Sequence, residues 1–175
     1  MNLAANEQKF LEFYDQSITK IYRYVYFRVG SEQIAQDISA EAFLKTWQYL
    51  KEGKNIGNLS AMVYQICRNM IADNFRNISK LPISLETTSK LDLSESEEEI
   101  IGGAETGLEL DKVRECLREL KDEYQELIIW HYIDDFSVPE ICEIWGKSEG
   151  SVRTSLSRAI RALKAVLEGK RPNNQ

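Results

Sequence analysis

Hydroxyl and guanidinium side chains recur along one stretch of this chain in a pattern suited to touching a nucleic-acid duplex. Thr154, Ser157, Arg158 and Arg161, with Ser151, Arg153 and Lys164 near the edges, gather on one sector of an expected helix at 100° per residue, and Ser148 starts that helix. Phosphates and base edges accept hydrogen bonds, so a helix entering a major groove must present donors of this kind near its start. Between Ser148 and Arg171 six cations meet only two acids, Glu149 and Glu168, although the whole chain carries a formal charge of −6. A solvated face at the end of a helical bundle is the plainer alternative. The local inversion of sign favours DNA.

Three further groups of residues have chemistry to offer. Arg68, Asn69, Asp73 and Arg76 project from the polar side of the segment AMVYQICRNMIADNFRN, and combine charge with amide and carboxylate groups able to read base edges. The loop before it contains Gly53, Asn55, Gly57 and Asn58, small residues that can make a turn or receive an unstacked base. Asp37 and Glu41 stand four apart in SEQIAQDISAEAFLKTWQYLKEG. They are either ordinary helix-surface charge or an invitation to a basic partner.

The elements that must position these groups are helical. From Phe136 to Leu167 two helices flank a tight corner: Ser137 and Glu140 form a capping pair, Pro139 sits in the first turn, and Gly146 ends the first helix. Val138, Ile141, Cys142 and Trp145 face Val152, Leu156, Ala159, Ile160, Leu163 and Leu167 of the second, which Ser148 starts. Upstream, Glu7 to Val29 keeps helical spacing and closes at Gly30, with Tyr22, Tyr24, Tyr26 and Phe27 crowded as packing or as a stacking platform. A helix from Ser31 uses Ile34, Ile38, Phe43 or Ala42, and Trp47 as its spine. The next is capped by Ser60 and packs Val63, Ile66, Cys67, Met70 and Ile71. Pro82 and the acid run Glu95, Glu97, Glu98 and Glu99 mark a linker up to Gly107. Helix resumes over Leu108 to Leu120 with Leu110, Val113, Leu117 and Leu120 inward, and Asp122 with Gln125 caps a helix bearing Tyr124, Leu127, Ile128 and Tyr132.

The expected fold is therefore all-α: two small helical domains, 1–80 and 108–175, joined by an acidic linker over 81–107, the second domain carrying a helix-turn-helix. At 175 residues, 43% of them hydrophobic, the chain can build such cores. Residues 81–115 carry three cations and ten anions, so the acid is concentrated in the middle. Cys67, Cys116 and Cys142 are scattered and read as small hydrophobes, and the single histidine, His131, has no ligand cluster nearby. No cofactor, metal or catalytic constellation is expected, and the chain is not expected to be an enzyme. With neither a charged-then-apolar leader nor a run of about 18 apolar residues, it is expected to be soluble and cytoplasmic, without membrane insertion.

Taken in order, these segments resemble a bacterial extracytoplasmic-function (ECF) RNA polymerase sigma factor. Asp37-Ile38 through Glu41-Ala42-Phe43-Leu44-Lys45-Thr46-Trp47 is similar to the family's stretch that docks on the polymerase clamp helices. Met62 to Asn69 with Asp73 and Arg76 is similar to its promoter-melting helix, and Pro82 to Leu85 to the tail of that module. Leu120 to Lys164 resembles its minus-thirty-five-binding domain. Ala40 stands where the family commonly has Gln, and Met62 where it commonly has Trp. The resemblance implies that Asp37, Ile38 and Glu41 bind core RNA polymerase. It also implies that Asn55 and Asn58 accept a flipped minus-ten base while Arg68, Asn69, Asp73 and Arg76 meet the adjoining strand, and that Ser148, Ser151, Arg153, Thr154, Ser157 and Arg158 read the minus-thirty-five duplex. Promoter DNA and an anti-sigma factor would be further partners. The carboxylates of Glu97, Glu98 and Glu99 would imitate phosphates in the polymerase channel and repel DNA elsewhere. A stand-alone regulator with a sensing or dimerising helical domain, and an interaction adaptor, are the alternatives.

Overall fold

The computed structural model describes the backbone of residues 3–80 and 104–170, and side chains over 6–80 and 111–170. Helices α1 (Leu3–Val29), α2 (Glu32–Lys51) and α3 (Leu59–Lys80) make an N-terminal module. A C-terminal module follows, built from α4 (Ala104–Arg118), α5 (Asp122–Ile128), a π-helical turn (Ile129–Ile133), α6 (Val138–Trp145) and α7 (Glu149–Leu167). The described residues contain no strand, and the all-α class holds. The linker acids Glu97, Glu98 and Glu99 lie outside the described residues.

In the N-terminal module, Ile21 and Val25 of α1, Ile38, Ala42 and Phe43 of α2, and Val63, Cys67 and Ile71 of α3 are all buried. Gly30 ends α1 at φ +71°, its N–H donating to the Tyr26 carbonyl at 2.8 Å, and Ser31 accepts the Ile34 N–H to start α2. The inner face of α2 also contains Ala35, Ser39 and Thr46. Thr46 is tolerated there because its hydroxyl donates to the Ala42 carbonyl at 2.8 Å. The cap of α3 is Asn58 rather than Ser60: its Oδ1 accepts the Ala61 N–H at 2.9 Å, one residue before the helix begins.

The helix-turn-helix follows its sequence signals closely. Ser137 and Glu140 form a reciprocal capping box, Gly146 turns the chain at φ +71°, and the Ser148 hydroxyl accepts the Ser151 N–H. Ile141, Ile144 and Trp145 of α6 and Val152, Leu156 and Ala159 of α7 are buried. Leu167 is exposed instead of inward, because it is the last residue of α7 and lies past the covered part of that helix. Three expectations upstream shift. Helix α4 starts at Ala104, before Leu108; Val113 is exposed while Leu117 and Leu120 are buried; and Gln125 donates to the Leu120 carbonyl rather than capping with Asp122.

The two modules pack against each other around Tyr24, Tyr64 and Trp130. The Tyr24 ring lies 5.1 Å from Tyr64 and 5.7 Å from Trp130, and Tyr64 meets Trp130 edge-on at 5.9 Å. All three are buried, so Tyr24 belongs to packing in this arrangement. Tyr26 and Arg114 add a second contact, the guanidinium Nη1 donating to the phenol at 2.9 Å.

Candidate nucleic-acid interface

Helix α7 presents its polar face outward. Ser148, Ser151, Arg153, Thr154, Ser157 and Arg158 are all exposed. Arg153 reaches back to Glu149 at 3.2 Å, one turn earlier, and the Thr154 hydroxyl donates to the Gly150 carbonyl at 2.9 Å. Arg158, Arg161 and Lys164 form no ion pair among the described residues, so their charge is available to phosphates. The Ser137 hydroxyl and N–H hold the Glu140 carboxyl below the usual carboxylate range, which keeps α6 capped and α7 in place behind it.

The polar side of α3 is divided. Asn69, Asp73 and Arg76 are exposed, with Arg76 and Asp73 paired at 3.1 Å. Arg68 is turned into the seam between the modules, where its Nε donates to Glu126 at 2.9 Å. In the preceding loop Asn55 is exposed and helps line a recess of about 310 Å³ together with Lys9, Lys54 and Ile56. Asn58 borders a neighbouring recess of about 360 Å³, also edged by Lys9. Its side chain is already engaged, capping α3 and donating to Glu143 of α6. The first recess is edged by Lys9 and Lys54, the second by Lys9 and Glu12.

On α2, Asp37 and Glu41 are exposed, Glu41 paired with Lys45 at 2.9 Å. Ile38 corrects an expectation: it is 5% exposed and packs into the core of the N-terminal module, so its side chain is not available to a partner. Leu44 takes the surface position instead. It is 54% exposed and lies seven residues after Asp37 and three after Glu41, on the same stripe.

The seam itself is charged. Glu126 is 5% exposed and receives the Tyr24 hydroxyl at 2.9 Å, Arg68, and Arg28 at 3.5 Å; Arg28 also reaches Asp122 at 3.2 Å. Arg23 pairs with the buried carboxyl of Asp134, and Lys20 donates to the Asp134 carbonyl at 3.0 Å. Burial pushes the Asp134 carboxyl up against the opposing pull of Arg23, and burial raises the Tyr24 and Tyr64 phenols well above their usual range.

Comparison with known proteins assigns this architecture. Residues 13–80 match Sigma-70 region 2 and residues 110–163 match Sigma-70, region 4, in that order. The chain belongs to the ECF RNA polymerase sigma factors. It is similar to the ECF RNA polymerase sigma factor BldN of Streptomyces coelicolor, 30% identical over 168 residues, which cover 94% of this chain and 62% of BldN. It is also similar to the ECF RNA polymerase sigma factor SigW of Bacillus subtilis, 28% identical over 93% of this chain and 90% of SigW. The solved sigma factor RpoE of Bartonella quintana, in complex with the anti-sigma factor NepR, shares the fold with a TM-score of 0.68. That match is at 19% identity and covers 92% of this chain and 98% of RpoE. The chain thus spans less than two thirds of BldN and nine tenths of SigW.

Within this ECF sigma factor the region 4 match contains the exposed α7 face from Ser148 to Arg161, and the region 2 match contains the α2 stripe, the loop and the polar side of α3. Leu44 lay outside the apolar spine read for α2 and inside the stretch similar to the polymerase-docking segment, but it was not singled out as a site residue. Sequence reasoning also missed Lys9, because a lone lysine on an exposed helix carries no signal of the recess it borders. Glu126 and Asp134 were invisible for the opposite reason: an acid within a periodic pattern reads as solvated.

Proposed function

We propose that this chain joins core RNA polymerase in the cytoplasm through the acidic and apolar stripe Asp37, Glu41 and Leu44, and selects promoters through two DNA contacts. The exposed, acid-poor face of α7 carries this reading. Ser148, Ser151, Arg153, Thr154, Ser157 and Arg158 enter the major groove of the minus-thirty-five element, hydroxyls near the helix start and guanidinium groups further on. Asn55 and the recess beside it accept an extruded minus-ten base, while Asn69, Asp73 and Arg76, with Arg68 once released from Glu126, follow the adjoining strand. Asn58 must likewise exchange Glu143 for nucleic acid. Extrusion costs a few kcal/mol, roughly what a preformed recess and prior docking on polymerase have to offset.

The chain contributes binding and positioning, and the polymerase performs the chemistry. The complex of RpoE with NepR supports an anti-sigma factor as a partner of this chain as well. A run-off transcription assay tests the proposal: core polymerase with this protein should produce promoter-dependent transcripts that Arg153→Ala with Arg158→Ala abolishes. Operator binding by the protein alone, with no effect on polymerase, would instead identify a stand-alone regulator.

A further inference from the structure

Thr154 lies on the exposed polar sector of α7 and in the first half of that helix, where side chains of a recognition helix meet base edges. The polar groups around it are committed to different degrees. Ser148 and Ser151 bond hydroxyl to hydroxyl at 3.1 Å, and Arg153, at the edge of the sector, reaches back to Glu149 at 3.2 Å. Ser157 and Arg158 follow Thr154 at three and four residues, both exposed. The Thr154 hydroxyl donates to the Gly150 carbonyl at 2.9 Å, one turn earlier in its own helix. The oxygen and the methyl of a threonine leave Cβ in different directions, so an oxygen turned back onto the backbone leaves the methyl to face outward. Swinging the hydroxyl into the groove would give up the bond to Gly150.

The base edges of the major groove offer hydrogen-bond donors, acceptors and a single kind of apolar group, the 5-methyl of thymine. A methyl presented among hydroxyls and guanidinium groups has that group as its complement. Against any other base edge it would displace water from a polar atom without replacing the hydrogen bond. We propose that Thr154 is a specificity-determining residue whose methyl packs on the 5-methyl of a thymine in the minus-thirty-five element. The proposal rests on the sigma-factor reading for the identity of the duplex and deepens it by fixing one base. Arg158 stands one turn further on, about 6 Å along the helix axis, so the base its guanidinium reads lies within about two base steps of that thymine. Serine at position 154 would keep the hydroxyl and its bond to Gly150 but lack the methyl, whereas valine would keep a methyl and lack the hydroxyl.

The test assembles core polymerase with the full chain, maps transcript starts, and uses the promoter duplex so found as the probe in competition gel shifts. Each thymine of its minus-thirty-five element, on either strand, is replaced in turn by deoxyuridine, which differs only in lacking the 5-methyl. One replacement should weaken holoenzyme binding about fourfold, the worth of one methyl removed from water. Thr154→Ser should bind the unmodified duplex about fourfold more weakly than the parent and be indifferent to that replacement. Thr154→Val should still tell thymine from uracil. An element without thymine, or one in which no replacement matters, overturns the proposal. So does a uracil effect of the same size in Thr154→Ser, or discrimination kept by Thr154→Ser and lost by Thr154→Val, which would put the hydroxyl in the groove. If the polymerase gains no new starts from this protein, the sigma-factor reading fails by itself. The parent and both variants are then compared on duplexes that the full chain selects from a random library, and the same outcomes decide the thymine contact.

Discussion

Arg158 represents the residues that were legible one at a time. Its position on a sector of hydroxyls and cations was fixed by helical spacing, and it is exposed with no ion pair among the described residues. Arg158→Ala should weaken holoenzyme binding to its promoter by roughly 1–3 kcal/mol if the guanidinium reads a base, visible in a gel shift as a loss confined to sequences with that base. The cysteines are a second case: all three read as small hydrophobes, but only Cys67 is fully buried, and burial pushes its thiol up to about 12. Cys116 and Cys142 are half-buried, so mass spectrometry after brief iodoacetamide treatment at neutral pH should find them alkylated well before Cys67. Ile38 shows where resemblance and residue diverge: helical spacing placed it in the spine of α2, where it is buried, while the matched motif implied a partner contact. A motif groups side chains by order along the chain, whereas a helix sends residues 37 and 38 in directions 100° apart, one to solvent and the other to the core.

Helix ends were legible wherever the capping chemistry was unambiguous. In the helix-turn-helix Ser137, Glu140, Gly146 and Ser148 each do what their types suggest. Ser137→Ala should cost about 1 kcal/mol of stability in thermal unfolding. The Glu140 carboxyl is held below its usual range, so its share of the cap is fully present above about 4.5 and is lost as pH falls through the lowered value. A Glu140→Gln variant and the parent should accordingly unfold at increasingly similar temperatures as the solution is acidified. Gly146→Ala should cost about 1–2 kcal/mol from its left-handed backbone alone, since nothing lies within 4 Å of where the new methyl would sit. At α3 and α5 the caps were misread. Asn58 and Ser60 are both good caps two residues apart, and Asp122 is drawn away by Arg28, a partner 94 positions distant that no local pattern reveals.

The arrangement of the whole molecule was the least legible, because periodicity says which face of a helix is apolar but not which distant helix will cover it. Tyr24, Tyr64 and Trp130 meet across the two modules, and a rim of ion pairs surrounds them. A buried ion pair contributes little net stability, and water rehydrates its members once they separate. The free protein should scatter as a compact body with a radius of gyration near the roughly 16 Å expected for its length, and lengthen on joining polymerase. Transcript-start mapping tests the central claim most directly: core RNA polymerase is reconstituted with this protein on fragmented genomic DNA and every new 5′ end is sequenced. The account predicts a discrete set of starts absent with core enzyme alone, sharing two upstream elements and lost when Arg153 and Arg158 are both alanine. A start profile identical with and without the protein, despite stable binding to the core enzyme, would contradict it.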